Sequence, residues 1–241
     1  MKPNDRLPVE TFGMAERFHR ILERDSQALY RYCALHTKGD LQTAYKLTAE
    51  TFLILSRRYV DFEKDEFRSE LFGVAWDVLN THYGRKDVVI REMECGLDPN
   101  LRHMLHALGC LPFYPREIFY LRFFGGLDPK DIAHLMDKSD TAVKVIVYQT
   151  VMEFASSMNA VATETLPWKQ LLARAQSYHY YLNDTLEEDP TEQGIARDAL
   201  LATQQLRTLR EAISMTPETF SSLLQDAKQD FETMNSVFTP L

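Results

Sequence analysis

Two imidazoles and two thiols lie close together in "CGLDPNLRHMLHALGC": His103 and His106 stand one helical turn apart, between Cys95 and Cys110. Two nitrogens and two sulfurs form a donor set that zinc accepts. The spacing fits no common zinc pattern, and both histidines fall opposite the stripe of Leu101, Leu105 and Leu108, so the segment reads as a solvated helix face. No phosphate-cradling glycine loop, GxSxG or HExxH occurs. His134 reads as a surface residue, and Glu187, Glu188 and Asp189 before Pro190 read as a solvated turn. Neither catalysis nor a resident metal or cofactor is expected, which leaves binding. The stretch of most interest is "DIAHLMDKSDTAVKVIVYQT", residues 131–150, whose second half carries one basic side chain, Lys144.

The chain has 241 residues, 45% hydrophobic and 26% charged, enough for more than one packed core. A net charge of −8 argues against broad electrostatic adhesion to DNA or to an anionic membrane. The charge is uneven: residues 1–86 hold 14 basic and 13 acidic side chains, residues 87–160 hold 7 and 10, and residues 161–241 hold 6 and 12. The N-terminal "MKPNDRLPVETF" lacks the apolar stretch of a signal peptide and no apolar run is long enough to span a bilayer. A cytoplasmic location with no membrane partner is the default expectation. Three cysteines without a CxxC pair are read as reduced.

Periodicity predicts helix almost throughout. Phe18, Ile21, Leu22, Leu29 and Cys33 form a first stripe, broken at "TKGD", where Gly39 stops one helix and Asp40 caps the next. Ala44, Leu47, Thr51 and Leu55 form a second stripe; Phe67, Leu71, Val74, Ala75 and Val78 form a third. Together they predict a bundle over residues 1–86, followed by a linker, residues 87–100. A second domain, residues 101–160, is predicted with helices over 101–108, 115–124, 129–136 and 141–156. Asp128, Pro129 and Asp131 suit the start of the third, and Ser139 or Asp140 the start of the fourth. "VKVIVY" alternates like a strand, but Val143, Val147, Thr150 and Phe154 keep a helical face. Residues 131–150 then have the layout of a helix-turn-helix that reads DNA. Residues 161–241 form an acidic extension with helices predicted over 167–182, 191–214 and 217–238, the last capped by Thr216.

"ALYRYCALHTKGDLQTAYKLTAETFLILSRRYVDF…FRSELFGVAWDVLNTHYGRK" resembles region 2 of the extracytoplasmic-function (ECF) group of bacterial sigma factors. "LGCLPFYPREIFYLRFFGGLDPKDIAHLMDKSDTAVKVIVYQTVMEF" resembles their region 4. The resemblance implies an all-α fold and binding to core RNA polymerase and promoter DNA. It places Leu47, Glu50, Thr51 and Phe52 on the polymerase-binding helix. It places Arg57, Arg58, Tyr59, Phe67, Arg68, Arg85 and Lys86 near the DNA-melting surface, where aromatic faces stack on unpaired bases and cations meet phosphates.

The chain departs from that pattern at defined places. Lys46 stands where the family has an acid, and Ala49 where it has a glutamine. Ile146 and Gln149 replace arginines in the recognition helix, and Val145 and Tyr148 occupy positions where polar side chains face DNA. Ser139, Thr141, Lys144 and Gln149, with Tyr148 beside them, remain as the DNA-binding set. Weak or partner-assisted promoter binding is expected. An apolar recognition face calls for a cover, and the acidic extension is expected to dock on region 4 or between the two domains and to regulate access. Trp168 is expected to anchor it to the preceding domain, and some of Tyr178, Tyr180 and Tyr181 to form an interface. Two functional expectations follow: an initiation factor regulated by its own extension or by a regulatory protein, or a degenerate relative that works through protein contacts without promoter recognition.

Overall fold

The computed structural model describes residues 9–58, 67–83, 98–159, 165–183 and 195–237. Its described residues form ten helices and no strand, so the fold is all-α. The helices are α1 (Val9–His36), α2 (Leu41–Arg57), α3 (Phe67–Tyr83), α4 (Pro99–Cys110), α5 (Phe113–Phe123), α6 (Pro129–Leu135), α7 (Asp140–Asn159), α8 (Trp168–Leu182), α9 (Arg197–Ala212) and α10 (Pro217–Val237). They pack as two compact units, α1–α3 with α10 and α4–α9.

In the first unit the turn between α1 and α2 follows from its residues. Lys38 and Gly39 both have positive φ, 56° and 83°, and the Gly39 N–H reaches back to the Ala34 carbonyl at 2.8 Å. Asp40 then caps α2, accepting from the Thr43 N–H at 3.0 Å and the Thr43 hydroxyl at 2.7 Å. The bundle buries Leu22, Leu29, Cys33, Leu47, Phe52, Leu55, Leu71, Phe72 and Ala75, and Tyr32 meets Phe72 edge to face at 5.3 Å. An acid sits inside this apolar packing. Asp25, on α1 and fully buried, accepts from Arg24 at 2.7 Å and pairs with Arg68 of α3 at 3.0 Å. On the outer side, α10 turns Leu223, Ala227 and Phe231 inward at helical spacing, and Phe231 stacks on Phe18 of α1 at 4.8 Å.

The second unit is built around α7. Asp98 caps α4 through the Asn100 N–H at 2.8 Å. Gly126, at φ 67°, turns the chain after α5, and Asp137, at φ 52°, turns it after α6. Ser139 caps α7 through the Ala142 N–H at 3.2 Å. Ile118, Phe119, Phe124, Leu127, Ile132, Val143, Val151 and Phe154 fill the core between α5, α6 and α7. The "VKVIVY" stretch lies in the middle of α7, so its helical spacing prevails over its strand-like alternation. Asp128 stands at the N-cap position of α6 but makes no capping hydrogen bond; its carboxylate lies 3.7 Å from the Arg122 guanidinium instead.

Residues 161–241 do not behave as one extension. In the described part, α8 and α9 complete the second unit, whereas α10 completes the first. The reason is in their apolar stripes: Ala175 and Tyr178 with Ala199, Ala202, Leu206 and Leu209 close over α7, while Leu223, Ala227 and Phe231 fit α1 and α2. Most of the expected linker lies outside the described residues, and its last two residues, Pro99 and Asn100, already belong to α4.

Replacing Asp25 leaves two guanidinium groups without their shared acceptor. Asp25→Ala is expected to lower the stability of the first unit by about 2–3 kcal/mol, read as a shift of the urea midpoint with unchanged slope.

Candidate nucleic-acid interface

In a helix-turn-helix, the turn fixes which side chains of the second helix can enter a groove. The turn is built here as expected: the Lys138 N–H bonds to the Ala133 carbonyl at 2.9 Å, and the Tyr114 hydroxyl donates to the Met136 carbonyl at 2.8 Å. Lys138 lies over the Tyr114 ring at 5.3 Å. Ser139, the cap before α7, is exposed, as are Thr141 and Gln149 along the helix, with Glu153 and Ser157 further on. Lys144 is partly covered and its Nζ pairs with the Asp140 carboxylate at 2.7 Å, one turn earlier. Val145 and Tyr148 are buried.

What buries Tyr148 is α8. The Tyr148 and Tyr178 rings lie 5.6 Å apart, both 1% exposed. The Tyr178 hydroxyl is hydrogen-bonded to Thr203 of α9, whose own hydroxyl donates to the Ala199 carbonyl at 2.7 Å, so Tyr178 is the donor. Burial pushes the Tyr178 phenol well above its ordinary range. The Tyr148 hydroxyl, in contrast, is buried with no hydrogen-bond partner among the described residues. Such a group costs about 1–3 kcal/mol of desolvation.

A small cleft follows this seam, lined by Arg122, Lys144, Val147, Ala175, Tyr178 and His179 among others. Arg122 donates to the Leu127 carbonyl at 3.1 Å and to the Asn183 side-chain oxygen at 2.5 Å, tying α5 to the C-terminal end of α8. Burial lowers its basicity, with Asp128 acting in the opposite sense. His179 lies within hydrogen-bonding reach of Asn183 at 3.3 Å. Its pKa is lowered by burial first and then by the Lys144 and Arg122 cations, against smaller opposite effects of Asp140 and Asp128.

The family model for sigma-70, region 4 matches residues 101–152, which run from α4 through most of α7. The ECF RNA polymerase sigma factor BldN of Streptomyces coelicolor is 29% identical over 161 residues. Both similarities point the same way: residues 101–152 match sigma-70, region 4, and the longer alignment is to an ECF sigma factor. The alignment covers 59% of the chain and spans 61% of the relative's length. No solved structure matches.

The region 4 module thus carries the resemblance with its expected turn and core, and α8 and α9 lie beyond the matched residues. Of its DNA-binding candidates, Ser139, Thr141 and Gln149 face solvent, Lys144 is held by Asp140, and Tyr148 is enclosed. Three of the four polymerase-binding candidates, Leu47, Thr51 and Phe52, are buried within the first unit, and Glu50 is exposed. Among the melting-surface candidates, Arg57 and Arg58 are exposed at the end of α2, Phe67 is buried, and Arg68 is joined to Asp25. Tyr59, Arg85 and Lys86 lie outside the described residues. His103 and His106 are exposed on α4, and the described residues contain no cluster that could hold a metal. No described helix is long and apolar enough to cross a membrane.

One placement corrects the sequence reading. Trp168 is 60% exposed at the start of α8, so Tyr178 does the anchoring. Arg68, a melting-surface candidate, also pairs with the buried Asp25 and so joins α3 to α1. Arg122 and His179 were not singled out, because their importance comes from the α5–α8 approach, which joins residues about sixty apart in the chain.

His179 gives the seam a pH dependence. Its folded-state pKa lies below the ordinary value near 6.5, so the folded chain binds fewer protons than the unfolded chain as pH falls through that range. Stability contributed by neutral His179 is present above about pH 6.5 and declines toward pH 5. The melting temperature is expected to fall between pH 7 and pH 5, and His179→Gln to flatten that slope.

Proposed function

We propose that this protein is a transcription initiation factor of the sigma type whose region 4 reading face is covered by its own α8 and α9. The functional event is binding: region 4 meets promoter DNA and the protein meets core RNA polymerase, with no bond made or broken. One observation carries the reading. Tyr148, on the second helix of the helix-turn-helix, is enclosed against Tyr178 with its hydroxyl unpaired among the described residues. A polar group stranded in the covered state finds water or a phosphate oxygen in an uncovered one, which narrows the gap between the two states. Arg122 and Lys144 point the same way. They are cations of the kind that hold phosphates, engaged here with Asn183, Asp128 and Asp140.

A second reading rests on the exposed stripe of α7. Thr141, Gln149 and Glu153 supply hydroxyl, amide and carboxylate but no cation. That favours a sigma-like regulator acting through protein contacts, without its own promoter recognition.

Two full-length variants separate the readings. Tyr178→Ala removes the ring that covers Tyr148, and Tyr148→Phe keeps the ring contact while removing the stranded hydroxyl. The first reading expects Tyr178→Ala to strengthen binding of random-sequence DNA duplexes by about tenfold, and Tyr148→Phe to weaken it and raise the melting temperature. Retained binding to purified core polymerase, with no DNA binding by either variant, selects the second reading.

A further inference from the structure

At the C-terminal end of α8 one side-chain amide is fixed from both sides. Arg122 Nη2 of α5 donates to Asn183 Oδ1 at 2.5 Å, which settles which end of the amide is oxygen. Asn183 Nδ2 therefore faces the His179 ring, 3.3 Å from Nε2. An amide nitrogen can only donate, so this hydrogen bond exists only while Nε2 is an unprotonated acceptor. The chain from Arg122 through Asn183 to His179 runs in one direction, donor to acceptor, and ends on a nitrogen lone pair. A proton on that nitrogen sets two N–H donors against each other, and turning the amide over sets its NH2 against Arg122 instead. Asn183 is exposed, so the pair is open to protons from solvent.

The charges around the ring offer a proton little compensation. From α5 comes Arg122, from the turn before α6 Asp128, and from α7 Lys144 and Asp140, while Tyr180 of α8 lies beside the ring at 5.8 Å. Both carboxylates are already committed, Asp140 to Lys144 at 2.7 Å and Asp128 to Arg122 at 3.7 Å. On the α9 side Arg207 acts on Tyr178 and Arg210 on Arg122, and both are positive. Arg122, Lys144 and His179 line one cleft together with Tyr178, the ring that covers Tyr148. A third positive charge in this cleft opposes the closure of α8 on α5 and α7, at the residue next to the covering ring.

We infer that Arg122, Asn183 and His179 form a proton-sensitive latch on α8: protonation of His179 releases it, α8 lifts from Tyr148, and DNA binding by region 4 is coupled to uptake of a proton at His179. The latch rests on the sigma-type reading with a covered region 4, and adds to it the signal that opens the cover. In the covered state the His179 pKa is lowered, by burial first and then by Lys144 and Arg122, against the smaller opposite effects of Asp140 and Asp128. Once uncovered, the ring returns toward its ordinary value near 6.5. Protons then bind the uncovered state more tightly, and the chain shifts toward it as pH falls below about 6.5. Arg122, Lys144 and protonated His179 are released together, three cations able to meet phosphates.

The test uses the full chain at fixed ionic strength and measures two quantities between about pH 7.5 and about pH 5.5: affinity for a random-sequence DNA duplex, and hydroxyl-radical oxidation of Tyr148 relative to Tyr180. The unaltered chain is expected to bind about fivefold more tightly at the lower pH, with Tyr148 oxidation rising in step. His179→Gln keeps an acceptor for Asn183 that takes up no proton, and is expected to lose both changes. His103→Gln, exposed on α4, is expected to keep them. Asn183→Asp gives Arg122 and a protonated His179 a shared acceptor, so its pH dependence is expected to flatten or reverse, a result that a merely structural hydrogen bond does not produce. Equal pH dependence in the unaltered chain and in His179→Gln overturns the inference, and so does an unaltered chain in which neither quantity changes with pH. A gain in DNA affinity from Tyr178→Ala beside either result leaves the covered-region reading intact. Tyr148 oxidation that follows His179 protonation while no form, Tyr178→Ala included, binds DNA overturns the promoter reading and the coupling to DNA together.

Discussion

The packing of Tyr148 against Tyr178 is the constraint from which the arrangement of the second unit follows. An α-helix that presents apolar side chains on one stripe needs one neighbour; α7 presents them on more than one. Val143, Val151 and Phe154 belong to the region 4 core, and Tyr148, from another side of the helix, requires a second layer. Helices α8 and α9 supply it, and Thr203 satisfies the one hydroxyl of the pair that has a partner. The recognition helix has become an interior helix at its middle while keeping a narrow outer edge of Thr141, Gln149 and Glu153.

Electrostatics follow the same geometry. A region that binds phosphates needs cations free to meet them, yet Lys144 is neutralised by Asp140 one turn away and Arg122 is engaged by Asn183 and Asp128. The pKa of His179 is lowered because its burial, and then a third positive charge near Lys144 and Arg122, disfavour protonation. The seam is held by shape and by a few directed hydrogen bonds, with one stranded hydroxyl opposing it.

Much of the architecture was legible from residue patterns because helix signals are local. Gly39 and Asp40 end and begin helices where their backbone and side-chain chemistry requires, and Ser139 and Thr216 cap α7 and α10 as expected. The need for a cover over Val145 and Tyr148 was also legible, since apolar side chains in a reading position call for a partner. The division of the acidic extension was not. Nothing in the composition of residues 161–241 says that Tyr178 closes over α7 while Phe231 stacks on Phe18, because which stripe meets which surface depends on contacts far apart in the chain. The same long-range character hid the roles of Arg122 and Asp25 and the pairing of Arg68 with that buried acid.

The central claim, that the recognition helix is covered at Tyr148 by α8, is open to direct measurement on the unaltered chain by hydroxyl-radical footprinting of its tyrosines. Tyr180, 55% exposed on the same α8, serves as the internal reference for Tyr148 and Tyr178. The account predicts strong protection of Tyr148 and Tyr178 relative to Tyr180. Oxidation of Tyr148 at a rate close to that of Tyr180 would contradict it.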